Sequence, residues 1–230
     1  MAVFAIADLH LSLGTDKPMD IFSGWSDYVQ RLESNWRKLI TDDDTVVIAG
    51  DISWAMKLEE CDKDFEFINN LPGKKLFIKG NHDYWWATKK KIDEYLEAKG
   101  FDTISIIFNN SYIAGNIAIC GTRGWNYESS GEKDMKILNR EIGRLEASIN
   151  AAKESGAEPV VFLHYPPVYD TIVCDEIINT LKKHNIRYCY YGHLHGANTH
   201  RHAIIGDYEG IKLNLISCDY TDFYPIPVIV

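Results

Sequence analysis

Apolar and polar positions along this chain follow two rhythms. Residues 3–7, 45–49, 74–78, 104–107, 117–120, 160–163, 188–191, 203–205 and 213–217 are short runs, most of them β-branched or aromatic, which predicts strands. Longer amphipathic stretches predict helices over 25–40, 62–70, 88–99, 133–154 and 175–184. The fourth is the clearest, because Leu138, Ile142, Leu145, Ile149 and Ala152 recur at spacings of three and four before Gly156 ends the run. Asn109-Asn110 and Gly115-Asn116 separate short apolar runs and predict antiparallel hairpins. The stretch from His200 repeats that style, with a turn over 206–210. The sum is an α/β chain, mixed sheet flanked by helices, in one domain spanning 1–230.

The polar residues that interrupt this pattern fall in one kind of place. Run 3–7 ends in Asp8-Leu9-His10, and run 45–49 in Gly50-Asp51. Run 74–78 leads to Gly80-Asn81-His82-Asp83, run 160–163 to His164, and run 188–191 to Gly192-His193-Leu194-His195. A lone Asp after a strand is ordinarily a turn or capping residue, and a lone His there is ordinarily structural. Five runs that each deliver His, Asp or Asn at the carboxyl end are another matter, because that edge of an open α/β sheet is where ligands bind. Carboxylate, amide and imidazole donors without thiolate suit Mn²⁺, Fe or Zn²⁺.

Composition narrows the partners. The chain has 230 residues, 46% of them hydrophobic, enough for a sizeable core, and a formal net charge of -9. Such a field repels long duplex nucleic acid and anionic membranes, yet it allows a small phosphorylated substrate beside bound cations. Cys61, Cys120, Cys174, Cys189 and Cys218 show no CxxC spacing and are expected to be reduced thiols in the core. With no signal-like start and no apolar run of about 18 residues, the expected location is the cytoplasm.

In their order, DLH, GD, GNHD, H and GHLH resemble the five blocks of the calcineurin-like metallophosphoesterase superfamily. The resemblance implies a four-layer αββα sandwich with two mixed sheets. It also implies one metal on Asp8, His10 and His195, a second on Asn81, His164 and His193, and Asp51 shared between them. A bridging carboxylate sets two cations about 3.5–4 Å apart, the spacing of two-metal phosphate chemistry. A hydroxide shared by both would attack phosphorus in line with the leaving group. By the same resemblance His82 faces the substrate and assists the leaving oxygen.

The match departs from the protein Ser/Thr phosphatases, whose second block reads GDxxDRG. Here the segment is Gly50-Asp51-Ile52-Ser53-Trp54-Ala55-Met56, without the extra Asp and Arg. Phosphoprotein is therefore disfavoured, and the chain is similar to the broad bacterial branch, with a small phosphodiester or nucleotide-type substrate expected. Trp54, Tyr84, Trp85, Trp86, Trp125 and Tyr165 lie near the ligand loops, and Trp54 and Trp125 are candidates to stack on a base. Arg123, between a strand and Gly124, is a candidate phosphate clamp. His200 and His202 are expected to share a strand face, and Lys89-Lys90-Lys91 to be a solvated helix face. Competing readings are a nuclease, which the acidic charge disfavours, and a non-catalytic scaffold of the retromer-subunit kind, which the complete ligand set disfavours.

Overall fold

The computed structural model describes residues 1–125 and 132–229. Two mixed sheets pack face to face with helices outside each. The first sheet holds β1 (Val3–Ile6), β2 (Thr45–Ala49), β3 (Lys74–Ile78) and β4 (Ile104–Ile106), all parallel, with β13 (Ile226–Pro227) antiparallel on β1. The second has the order β11-β12-β10-β7-β6-β5: Gly206–Tyr208, Ile211–Leu215, Tyr188–Tyr191, Glu158–Leu163, Ile117–Thr122 and Tyr112–Ala114. Its central strands are parallel and its two edges are antiparallel hairpins. A two-stranded ribbon, β8 (Val168–Tyr169) with β9 (Ile172–Val173), stands apart.

Strand β2 shows why the runs are so uniformly apolar. Successive side chains leave a strand on opposite faces. Val46 and Ile48 point into a layer with Leu32 and Trp36 of α1 (Tyr28–Leu39), Phe65 and Ile68 of α2 (Asp62–Asn69), and Ile92 of α3 (Lys89–Lys99). Val47 and Ala49 point the other way, into a layer shared with Ile119, Val160 and Phe162 of the second sheet. All five positions of β2 are buried. The outer face of the second sheet packs Val161, Leu163 and Cys189 on Leu145 and Ile149 of α4 (Glu132–Glu154) and on Ile177 and Leu181 of α5 (Asp175–Lys183). The four-layer αββα sandwich is therefore present.

At their carboxyl edges the two sheets are stitched together. Ala7 N–H donates to Ile216 O at 2.8 Å, and Cys218 N–H donates to Ala7 O at 3.0 Å. This seam places the residues after β1, β2 and β3 opposite those after β7 and β10.

Several expectations need correction. The Asn109-Asn110 segment is no hairpin: β4 and β5 belong to different sheets, so this turn carries the chain across the sandwich. Of these two turns, Gly115-Asn116 alone closes a hairpin, between β5 and β6. The 203–205 run forms no strand beyond one bridge from Ala203 to Tyr169, and the strand begins at Gly206. His200 ends the short helix α6 (Gly196–His200) and His202 lies in the following turn, so the two share no strand face. The first helix starts at Tyr28, because Trp25 turns inward to the site instead. All five cysteines are buried thiols outside any disulfide, as expected. Among the described residues no helix is long and apolar enough to cross a membrane.

Candidate metal centre

Each strand hands its polar residue to the site through a tight turn. Asp8, His10, Asp51 and His193 all have positive φ, at 63°, 45°, 51° and 72°. Non-glycine residues rarely adopt that conformation, and such strain collects at functional sites. The neighbouring glycines have a different task. A Cβ on Gly80 would lie 2.1 Å from Asp51 Oδ1, and one on Gly192 would lie 2.6 Å from Asp8 Oδ2. Only glycine lets these backbones approach the two carboxylates so closely.

Two triads result. Asp8, His10 and His195 converge with ligand atoms within 4.8 Å of one another, and so do Asp51, His164 and His193. Asp51 Oδ2 lies between them, 3.7 Å from His10 Nε2 and 3.5 Å from His164 Nε2. Its other oxygen, Oδ1, accepts the His82 N–H at 2.8 Å. Asn81 joins the second triad, with Oδ1 2.6 Å from His164 Nε2.

The donor chemistry fits cations. His164 Nδ1–H donates to Ala49 O at 3.0 Å, which leaves the Nε2 lone pair facing Asn81 Oδ1 with no proton between. Asp8 Oδ1 is buried and has no hydrogen-bond partner. Burial, then the charge of Asp8, pushes the Asp51 carboxyl up to about 8, as two carboxylates crowded into a buried site do to one another. Burial opposes charge on His195, but Asp8 and Asp219 prevail and hold it protonated up to about 10. Its Nε2 lies 3.1 Å from His10 Nε2 and 3.5 Å from Asp8 Oδ1. Burial, reinforced by His164, keeps His193 neutral down to about 3, as a ligand imidazole must be.

Positioning groups surround the triads. Asp219 Oδ1 lies 3.0 Å from His195 Nδ1, and its Oδ2 accepts the Gly196 N–H at 2.8 Å. Asp83 is buried and accepts from the N–H groups of Asp51 at 3.0 Å, Ile52 at 2.9 Å and Gly80 at 2.7 Å, and from Trp85 Nε1 at 3.0 Å. It thereby ties the Asp51 turn to the Gly80-Asn81 turn. Sequence reasoning passed over both residues. Asp83 stood within GNHD, whereas Asp219 has no motif around it.

The other candidates separate. Trp54 stacks on His10 with centroids 4.9 Å apart and reaches His82 at 4.6 Å. With Met19, Phe22 and Trp25 it walls a basin of about 430 Å³ that His10, His82 and His195 open into. Trp25, unrecognised as a site residue, lies 5.7 Å from His195. Tyr165 packs on His193 at 4.5 Å. Trp85 is core, Tyr84 is largely exposed, and Trp125 packs against the α4 side of the second sheet, away from that basin. Arg123 lines a separate cavity. Lys89 and Lys90 pair with Asp93 and Glu94, a solvated helix face as expected.

The model of the calcineurin-like phosphoesterase family matches residues 1–197, which hold every block quoted above. The chain belongs to that family. Solved structures share its fold at low identity. A protein of unknown function from Aquifex aeolicus is 17% identical with a TM-score of 0.52, over 98% of this chain and 95% of that one. A phosphopantetheinyl hydrolase from Mycobacterium tuberculosis is 14% identical with a TM-score of 0.52, over 99% and 95%. The protein TT1561 of Thermus thermophilus is 11% identical with a TM-score of 0.56, over 84% and 81%. No curated protein matches the chain. Family and clustered Asp and His side chains together are those of a metal-dependent phosphoesterase.

Proposed function

We propose that this calcineurin-like phosphoesterase hydrolyses small phosphodiesters or nucleotide-type phosphoesters with two transition-metal ions, Mn, Fe or Zn. One would rest on Asp8, His10 and His195, the other on Asn81, His164 and His193, with Asp51 shared. The observation that carries this reading is the placement of Asp51 Oδ2 between a histidine of each triad. When bound, such ions acidify water and neutralise phosphoryl charge.

The chain's own groups prepare the rest. Ala49 O and Asp219 fix the tautomers of His164 and His195, so that each turns Nε2 inward. His82 is held by its backbone on Asp51, and its ring opens into the aromatic basin. There it would donate a proton to the leaving oxygen, while Trp54 and Trp25 flank a base or other flat leaving group. Trp125, set away from the basin, is left with at most an indirect part. The basin is one small pocket in a chain of net charge -9, which suits a small substrate better than long duplex nucleic acid or a membrane.

A hydrolysis panel of aryl monoesters and diesters, cyclic nucleotides and dinucleotides tests the reading when run beside metal analysis of purified protein. Asp51→Asn should lose both metals and nearly all turnover. Full activity in that variant refutes the assignment.

A further inference from the structure

Beside the metal centre lies a second, larger cavity of about 630 Å³, within the size range of small-ligand sites. It sits one strand further along the same edge, over the ends of β3, β4 and β6 and under α4. The two sites touch through the chain: Lys79 precedes Gly80-Asn81, and Arg123 O accepts the His164 N–H at 3.1 Å.

The charge of this cavity opposes that of the protein. Lys79, Arg123, Arg140 and Arg144 face one carboxylate, Glu141, in a chain of net charge -9. Glu141 is already engaged: its Oε2 accepts from Thr122 Oγ1 at 2.8 Å and its Oε1 from Arg144 Nη1 at 2.5 Å. Arg123 comes no nearer to it than 3.9 Å, and Arg123 Nε is buried with no hydrogen-bond partner. Neither Lys79 nor Arg140 has a hydrogen bond or ion pair among the described residues. Among the described residues three cations thus converge on one hollow, Lys79 and Arg140 unpaired and Arg123 held only by that long ion pair, which is the electrostatic form of an anion site.

We infer that this cavity binds a second phosphoryl group of the substrate, so that the enzyme prefers molecules carrying two phosphates over those with one. This rests on the phosphoesterase reading above. Strands lie about 4.7–4.9 Å apart, so the second group would sit roughly 5–10 Å from Asn81. A single ribose spans that separation, as in a nucleoside 3′,5′-bisphosphate.

Two measurements test it. In calorimetry at low salt, chelator-treated protein should bind inorganic phosphate, and Lys79→Met or Arg140→Glu should weaken that binding about tenfold or more. Arg140 is exposed on α4, so its replacement keeps the fold. With manganese-loaded protein, kcat/KM for a nucleoside 3′,5′-bisphosphate should exceed that for the 5′-monophosphate about tenfold, and Arg140→Glu should bring the ratio near one. Phosphate binding unchanged in both variants overturns the site. Phosphate binding without a bisphosphate preference overturns its assignment to the substrate's second group. Binding that the variants abolish, in a protein inert towards every phosphoester, sinks the catalytic reading and not the anion site.

Discussion

Asp219→Asn is the sharpest probe of how the centre is held together. The native carboxylate accepts on both oxygens, from His195 Nδ1–H at 3.0 Å and from the Gly196 N–H at 2.8 Å. An amide is nearly the same shape but has a single acceptor. If its oxygen stays on Gly196, its NH₂ faces His195 Nδ1 and forces that nitrogen to accept. In the neutral ring that a cation requires, the proton then sits on Nε2, the atom that must be bare to bind it. If the amide flips, its NH₂ meets the Gly196 N–H instead. Either way one charge-assisted hydrogen bond is lost, worth about 1.5–3 kcal/mol. Losses of this kind behind a ligating histidine weaken metal affinity about 10–100-fold, or about 1.4–2.7 kcal/mol. The assay is a competition titration of Mn²⁺ against a chromophoric chelator, with circular dichroism to establish the fold. One of two binding events should weaken by that amount, and Asp219→Glu should recover part of it. Two unaltered dissociation constants in the Asn variant would refute the reasoning.

Other consequences are as direct. His82→Ala should keep its metals and lose about 10²–10⁴ in turnover, most severely for poor leaving groups; unchanged hydrolysis of an alkyl diester removes His82 from the chemistry. Gly80→Ala drives a Cβ to 2.1 Å from Asp51 Oδ1, so metal content should fall and kcat/KM should drop by about 100-fold or more. Lys75 is buried, donating to Leu71 O at 2.6 Å and Asn69 O at 3.3 Å, and burial lowers its pKa to about 8. The folded chain therefore releases this proton before the unfolded chain does, and stability gains as pH rises through 8 towards 10.5. Lys75→Met lacks that gain, so wild type should improve on it by about 2 kcal/mol between about pH 7 and 9.5 in urea melts; a constant gap contradicts the sign.

What the chain determined locally is the identity of the strand ends. A strand buried on both faces must be apolar throughout, so Asp8, Asp51, Asn81, His164 and His193 stand out at its carboxyl end, and the fold class follows from the alternation of runs. What lies beyond one strand and its turn was invisible there. The Asn109-Asn110 turn looks like any hairpin turn, and only the packing of Ile106 in one layer and Ala114 in another sends it across the sandwich. Asp219 meets His195 because the seam at Ala7 and Ile216 folds the end of β12 back over the site. Trp25 reads as the start of a helix, yet it closes the aromatic basin, and Lys79, Arg123 and Arg140 share a cavity only once two sheets and α4 are assembled. A side chain's chemistry and the period of its strand are local properties of the backbone. Which distant charges and rings it meets is set by burying both faces of both sheets at once, and no short stretch of sequence carries that information.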